Sequence, residues 1–543
     1  MKKKLLAIVL AVTMLAGVTA GCGSADNGED TQASGTTSDE TAGAGGEAGE
    51  TVQEGEPVYG GTLRFATPNS CASPGYTPTA TDNSSLLYLN TAYESLTYFD
   101  EEGNIIPRLA TEWVVDAEEP SITWTLREGV TFADGMEFNA EAVAVNIAEY
   151  QEAARTETSN IKSCEIIDDT HIKMVLNEMN SSSVESIGFF VYYMSPAALE
   201  DPSVLESSTC GTGAFQLTEF ENNVFYRYEK NENYWQEGKP YLDAVEITIV
   251  AEPTTMATAF KASEYDMMLI QNNPTLITEL NALSGVVAER NTSGQGLVAT
   301  GLIPNSADPD SPWADERVRR ALCYALDVDL LVEAFMFNTT ETTDQWAAKG
   351  SLLYNDDINH YTYDPDRARE LLAEAGYPDG FDTKLYCTTS SKDILTSAAN
   401  MLGEVGINCE IIQVDVATQT ELYSTGTWEG LMLHFASISP DLGLYMGRHL
   451  DEDGAFYAKG IQHPQEAMDL LAQIRGETDV ETKIALSKDM QELIYDAENG
   501  LALFGRPLYI GGSVYFKYDY VKDDKAAMAF VSAWNVWDCW LDQ

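Results

Sequence analysis

Apolar residues along this chain recur first with a period of two and later with a period near 3.6. Both occur side by side between Ile122 and Asn146. Ile122, Trp124 and Leu126 alternate with Thr123, Thr125 and Arg127, the pattern of a half-buried strand. Gly129 and the Asp134-Gly135 pair interrupt the run, and a D-G pair marks a tight turn because glycine accepts positive φ. Asn139 then stands where a helix N-cap belongs, and Ala142, Val143 and Ile147 share one face of the helix it would begin. The predicted order is strand, turn, short strand, helix. Nothing in it is chemically reactive.

Upstream, residues 58–66 read as an opening strand, succeeded by a polar loop over 67–81. Residues 93–99 and 105–115 flank a turn at Glu102-Gly103, and a second hairpin over 166–176 turns at Asp168-Asp169. Gly211 and Gly213 let the backbone turn tightly beside a neighbour, and no Gly-Lys-Ser/Thr comes after them to make a phosphate loop. A β-rich run ends over 245–250. From Asp315 the period lengthens: Val318, Ala321, Leu322, Ala325 and Leu326 share one helix face behind an Asp315 cap. A second helix has Asp364 at its N-cap, Pro365 at its first position and Gly376 past its end. A strand over 383–388, a helix to Val405, a stop at Gly406 and a strand over 407–414 continue the alternation, so the fold class is α/β. Residues 512–520 form a Tyr/Phe-rich strand near the end.

The first residues obey a different logic. Three lysines at positions 2–4, an apolar run to Leu15 and small residues to Gly21 make a secretory signal, too short to span a membrane. Its end, Thr19-Ala20-Gly21-Cys22, resembles a lipobox, so Cys22 is the expected lipidation site. Residues 22–56 hold nine acidic residues and no basic or aromatic one, a composition that cannot order itself. As a flexible coil this tether reaches roughly 30 Å.

Composition narrows the function classes. The net charge of −55 disfavours nucleic acid and anionic lipid surfaces as partners. The remaining chain is too long for one hydrophobic core, so two or three lobes are expected. Past Cys22 the seven cysteines, 71, 164, 210, 323, 387, 409 and 539, form no C-x-x-C pair, and their odd number leaves at least one free thiol. A secreted hydrolase has no support from H-E-x-x-H or G-x-S-x-G, and the five histidines are never four apart.

Several runs together carry a resemblance: G-G-T-L-R-F-A from Gly60, Y-E-S-L from Tyr93, P-R-L-A-T-E-W from Pro107, the stretch from Ile122 to Asn146, G-T-G-A-F from Gly211, P-Y-L-D from Pro240, V-R-R-A-L-C-Y-A-L-D from Val318 and D-P-D-R-A-R-E-L-L-A-E-A-G-Y from Asp364. In this order the chain resembles the family 5 extracytoplasmic solute-binding proteins, the peptide/nickel-type receptors of ABC importers. The resemblance implies a three-lobed periplasmic-binding-protein-like fold of type II with a hinge. Its parts would be a signal peptide 1–21, a tether 22–56, lobe I over 57–98, 206–300 and 506–543, an inserted β-rich lobe over 99–205 and a closing α/β lobe over 301–505. It implies a monomeric, lipid-anchored receptor on the outer face of the cytoplasmic membrane, working with permease and ATPase subunits. No catalysis, cofactor or metal is expected. Peptide is the family's commonest cargo; oligosaccharides and chelated nickel stay open, as does a sensor or chaperone role on the same fold.

The same resemblance implies a cleft lined by Asn69, Phe215, Asn305, Trp346, His434, Ser437, Ser439, Asp441 and Tyr445. Peptide-binding members carry an Asp for the peptide amine where Ser437 stands here, while Asp441 comes after Pro440 in a shifted register. A neutral hydroxyl holds an ammonium less firmly than a carboxylate does. His434 is placed as a histidine that could meet a chelated metal, and Trp346, Trp428, Trp534 and Trp537 as rings that could stack on a solute.

Overall fold

The computed structural model describes residues 56–543 apart from 72, 81–84, 101, 102, 272, 291–296, 453, 455 and 524–535. The expected signal segment with Cys22, the tether up to Gly55, Glu102 and Trp534 lie outside the described residues.

Three larger sheets carry the chain. The first has seven strands, and the opening strand Thr62–Thr67 sits at its middle, parallel to Ala244–Ile249 on one side and to Met267–Gln271 on the other. Leu63 and Phe65 are fully buried and pack with Tyr226, Tyr228 and Tyr515, as a central strand requires. The second sheet has six strands, with Val298–Pro304, Leu431–Ser437 and Phe381–Cys387 at its centre. The third is the four-stranded antiparallel sheet of Ala110–Asp116, Ser121–Leu126, His171–Leu176 and Ile161–Asp168. Mixed α/β architecture is therefore observed.

The stretch from Ile122 folds as its pattern predicts. Ile122 and Trp124 are wholly buried, Leu126 nearly so, and the Trp124 ring lies 5.8 Å from that of Trp113. Asn139 caps helix Ala140–Glu152 by accepting the Ala142 N–H at 3.0 Å. Asp315 caps Glu316–Tyr324 and Asp364 caps Pro365–Glu374 in the same manner, and Gly376 takes φ +95° just beyond the latter. Arg319, nearly fully buried in the V-R-R-A-L run, donates to the carbonyls of Trp313, Ala314 and Leu501 at 2.9–3.0 Å.

Three of the runs that carry the resemblance, those of Glu94, Arg108 and Thr212, converge on one carboxylate. Glu94, 3% exposed, accepts from Arg108 at 2.5 Å, Tyr234 at 2.9 Å, Trp235 Nε1 at 2.8 Å and Thr212 Oγ1 at 2.8 Å. These donors are scattered along the sequence, and in space they form one buried polar network. Gly211 and Gly213 press on the same place: a Cβ on Gly211 would fall 2.2 Å from the Ala92 carbonyl oxygen.

Two strand placements differ from the sequence reading. Val298–Pro304 begins the second sheet before residue 301. Strand Arg506–Gly511, expected to have returned to the first sheet, pairs with Val298–Pro304 and Glu341–Thr342 in the second. Its buried Leu508 and Ile510 pack on the cores flanking that sheet, which holds it there. The return is made by Ser513–Tyr518, between Met267–Gln271 and Val286–Glu289.

Candidate functional site

The end of strand Leu431–Ser437 leads through Pro440 into helix Leu442–Leu450, and this helix faces helix Ser183–Phe190 of the part bearing the four-stranded sheet. Small residues allow the approach: a Cβ on Gly443 would lie 2.7 Å from Ser182 Oγ, and one on Gly447 would overlap the Arg475 guanidinium. Polar contacts cross the junction. Ser182 Oγ donates to Asp441 Oδ1 at 2.8 Å, Ser439 Oγ to Glu185 Oε1 at 2.6 Å, Ser181 N–H to the Arg475 carbonyl at 2.8 Å, and Lys483 Nζ reaches Ser182 Oγ at 3.4 Å.

Beside this junction lies a cavity of about 410 Å³. One wall has Leu86, Leu89, Tyr150, Arg155, Glu157, Asn160, Ser183 and Phe190; the other has Leu444, Gly447, Arg448, Asp451 and Arg475. Its charges are mostly spoken for. Arg155 pairs with Glu157 at 2.8 Å and Arg475 with Asp451 at 2.5 Å. Arg448 forms no ion pair among the described residues and rests over the Phe456 ring at 4.8 Å. Its surface is open to the cavity, while the protein massed around it lowers its pKa from the usual guanidinium value, against the opposing pull of Glu157, Tyr445 and Glu185. Glu178 lines the same space from an exposed rim position.

Five of the residues expected at a cleft lie in or around this strand-to-helix segment, although none of them lines the cavity. Asp441 caps Leu442–Leu450 through the Leu444 N–H at 3.0 Å and is paired with Lys483. Burial works against its ionisation, but the Lys483 ammonium and the hydrogen bonds prevail and hold its pKa below the usual carboxylate value. The shifted-register acid is thus already neutralised, and does not wait for a solute's amine. Ser439 is spent on Glu185 and on the Asp441 N–H at 3.1 Å. Trp346 lies tilted against Phe504 at 4.1 Å and meets Tyr445 edge-on and His449 tilted, both at 5.5 Å. His434 lies flat against Tyr423 at 4.4 Å; burial pushes its pKa down to about 3, so it is a neutral ring in an aromatic cluster. The Tyr445 hydroxyl is buried there with no hydrogen-bond partner.

The other expected residues lie elsewhere. Phe215 has no exposed surface and belongs to the core of the first sheet, so no solute reaches it in this conformation. Asn305 is 9% exposed and donates to the Gly426 and Trp428 carbonyls at 3.0 and 2.6 Å, fixing a turn. Asn69, at the end of the opening strand, accepts the Tyr88 hydroxyl at 2.5 Å on its own carbonyl. Ser437 pairs with Val298 at the strand end. Trp428 is in the core, and Trp537 takes the Arg108 guanidinium over its ring at 3.8 Å. Sequence reasoning passed over Arg448, Ser182 and Lys483. The Gly443 and Gly447 pair, four apart on one helix, was the available sign that another surface closes on that face.

Among the described residues no group of three or more His, Cys, Asp or Glu is arranged to hold a metal ion, and no helix is long and apolar enough to cross a membrane. The seven cysteines from Cys71 onward form no disulfide in the described residues.

In a mixed α/β fold, a polar cavity walled by two separately built parts is a place where small molecules are commonly held. The sequence profile of the bacterial extracellular solute-binding proteins, family 5 middle region, matches residues 104–456, and the chain belongs to that family. Such proteins bind small solutes such as peptides and work with an ABC permease. The glutathione-binding protein GsiB of Shigella dysenteriae serotype 1 is 28% identical over 443 residues, covering 77% of this chain and 83% of its own length. Among solved structures, DppA of Helicobacter pylori in complex with the peptide STSA superposes with TM-score 0.70 at 24% identity, over 90% of this chain and 99% of its own. NikA of Brucella suis in complex with Fe(III)-EDTA gives TM-score 0.75 at 20% identity, over 89% and 100%.

Proposed function

We propose that this chain is the lipid-anchored receptor of an ABC importer, held at Cys22, and that it captures a short peptide or peptide-like acid through the solute's carboxylate. The observation carrying this reading is the charge balance of the inter-part cavity: Asp441 is committed to Lys483, whereas Arg448 faces the cavity without an ion pair among the described residues. The lining charges outside ion pairs are therefore Arg448 and the rim residue Glu178, one of each sign, as a zwitterion requires. A guanidinium binds a carboxylate through two parallel hydrogen bonds. Glutathione binding by GsiB and the STSA complex of DppA agree in kind with such a cargo. The solute enters between lobes, hinge closure brings Ser182 and Ser439 against their partners, and the closed form is presented to the permease. No reaction is performed on it.

Native mass spectrometry of the purified protein should release an acid of peptide type. In calorimetry against a tripeptide pool, Arg448→Gln should weaken binding about tenfold or more, and a C-amidated pool should bind both proteins equally poorly. Equal affinity of wild type and variant for the free-acid pool sinks the reading.

A further inference from the structure

A second cavity, of about 310 Å³, lies apart from the first and shares no lining residue with it. Arg506, at the start of strand Arg506–Gly511, forms part of its wall and is 5% exposed. Its Nε and Nη1 are buried without any hydrogen-bond partner, and the guanidinium sits 5.6 Å above the Tyr361 ring. Among the described residues it makes no ion pair. A buried guanidinium left this way forgoes several charge-assisted hydrogen bonds, and buried polar groups without partners are rare enough to call for one.

The rest of the wall says what the partner looks like. Asp327, Asp329 and Asp344 all border the cavity, and none reaches Arg506. Asp344 instead accepts from His360 at 3.0 Å and from the Tyr361 N–H at 3.2 Å, and Asp327 caps helix Val328–Met336 through the Leu330 N–H at 3.0 Å. Asp329 stands exposed in the first turn of that helix, and Lys349 lines the cavity from an exposed position. Three carboxylates outnumber that lysine and repel a phosphate or any other dianion. A ligand that satisfies Arg506 must carry a positive group for the acidic side. The volume equals on the order of ten waters at about 30 Å³ each, which suits a molecule of few heavy atoms.

We propose that this cavity is a second small-molecule site and that it takes a free α-amino acid, its carboxylate on Arg506 and its ammonium toward the acidic wall. The guanidinium fork matches the carboxylate, and the opposed charges set the ligand's direction. Arg506 precedes by a few residues the crossing from the second sheet to the first, so the site sits on the strand that joins them.

The test is calorimetry and thermal melting of the full secreted chain with L-alanine, acetate, alaninamide and inorganic phosphate as probes. Alanine should bind at millimolar concentration, acetate and alaninamide about tenfold or more weakly, and phosphate not at all. Arg506→Met should lose the alanine heat and the alanine-induced rise in Tm, while Arg448→Gln keeps both. Three results overturn the proposal: no probe binds the wild type, Arg506→Met binds alanine like the wild type, or Arg448→Gln removes alanine binding and so places it in the first cavity. Should Arg506→Met fail to fold, the wild-type panel decides, since equal binding of alanine, acetate and alaninamide overturns the proposal by itself.

Discussion

At Asp441 three donors converge from within the protein: the Leu444 N–H, the Ser182 hydroxyl and the Lys483 ammonium. Lys483→Met should therefore leave a buried carboxylate without its counter-charge and cost about 3–5 kcal/mol in chemical denaturation. Adding Asp441→Asn should recover most of it; a single variant as stable as wild type would show the pair to be solvent-screened. His434 gives a pH signature. An unfolded imidazole takes up its proton near pH 6.5, the folded one only near pH 3, so between those values the unfolded state holds more protons. Stability should fall as pH drops through this window, by up to about 1.4 kcal/mol per unit. His449, also held well below its usual pKa by burial, adds to the effect. His434→Phe should flatten the slope measured by denaturant melts at stepped pH; an unchanged slope would mean that the ring is not desolvated.

Elements defined by local pattern were legible in the sequence, because periodicity and caps are written in adjacent residues. Trp124 and its neighbours, the Asn139, Asp315 and Asp364 caps and the Gly376 stop all lie where the pattern predicts. Trp124→Ala should cost about 3–5 kcal/mol, seen as a lowered melting transition. Gly211→Ala drives a Cβ into the Ala92 carbonyl and should cost about 1–3 kcal/mol in the same assay. The site was legible only in part. Asp441 and Ser439 follow the strand end as read, but what they contact there, Lys483, Ser182 and Glu185, is remote in sequence. The burial of Phe215 and Asn305 was not legible, because a motif fixes backbone position, whereas burial depends on what packs above it. Arg506–Gly511 was assigned early to the first sheet because the resemblance gave only an approximate point of return, which one more strand of the second sheet precedes.

On the scale of the whole molecule, the anchor reading makes its own prediction. Cys22→Ala should leave the fold intact and shift the protein from the membrane fraction to the medium or to an uncleaved precursor; unchanged fractionation would refute lipidation. The opening strand Thr62–Thr67 has consequences for how the chain reaches its native state. Its two parallel neighbours, Ala244–Ile249 and Met267–Gln271, come far later, and the latter needs Ser513–Tyr518 on its other side. Pairings this distant in sequence form slowly, because loop closure must be met before contacts reward it. The earliest strand to emerge from a ribosome or an export channel thus finds its sheet complete only when the end of the chain is out. Until then no strand near it in sequence pairs with it, and on the anchor reading, in which the chain is exported unfolded, it keeps that freedom for nearly the whole passage.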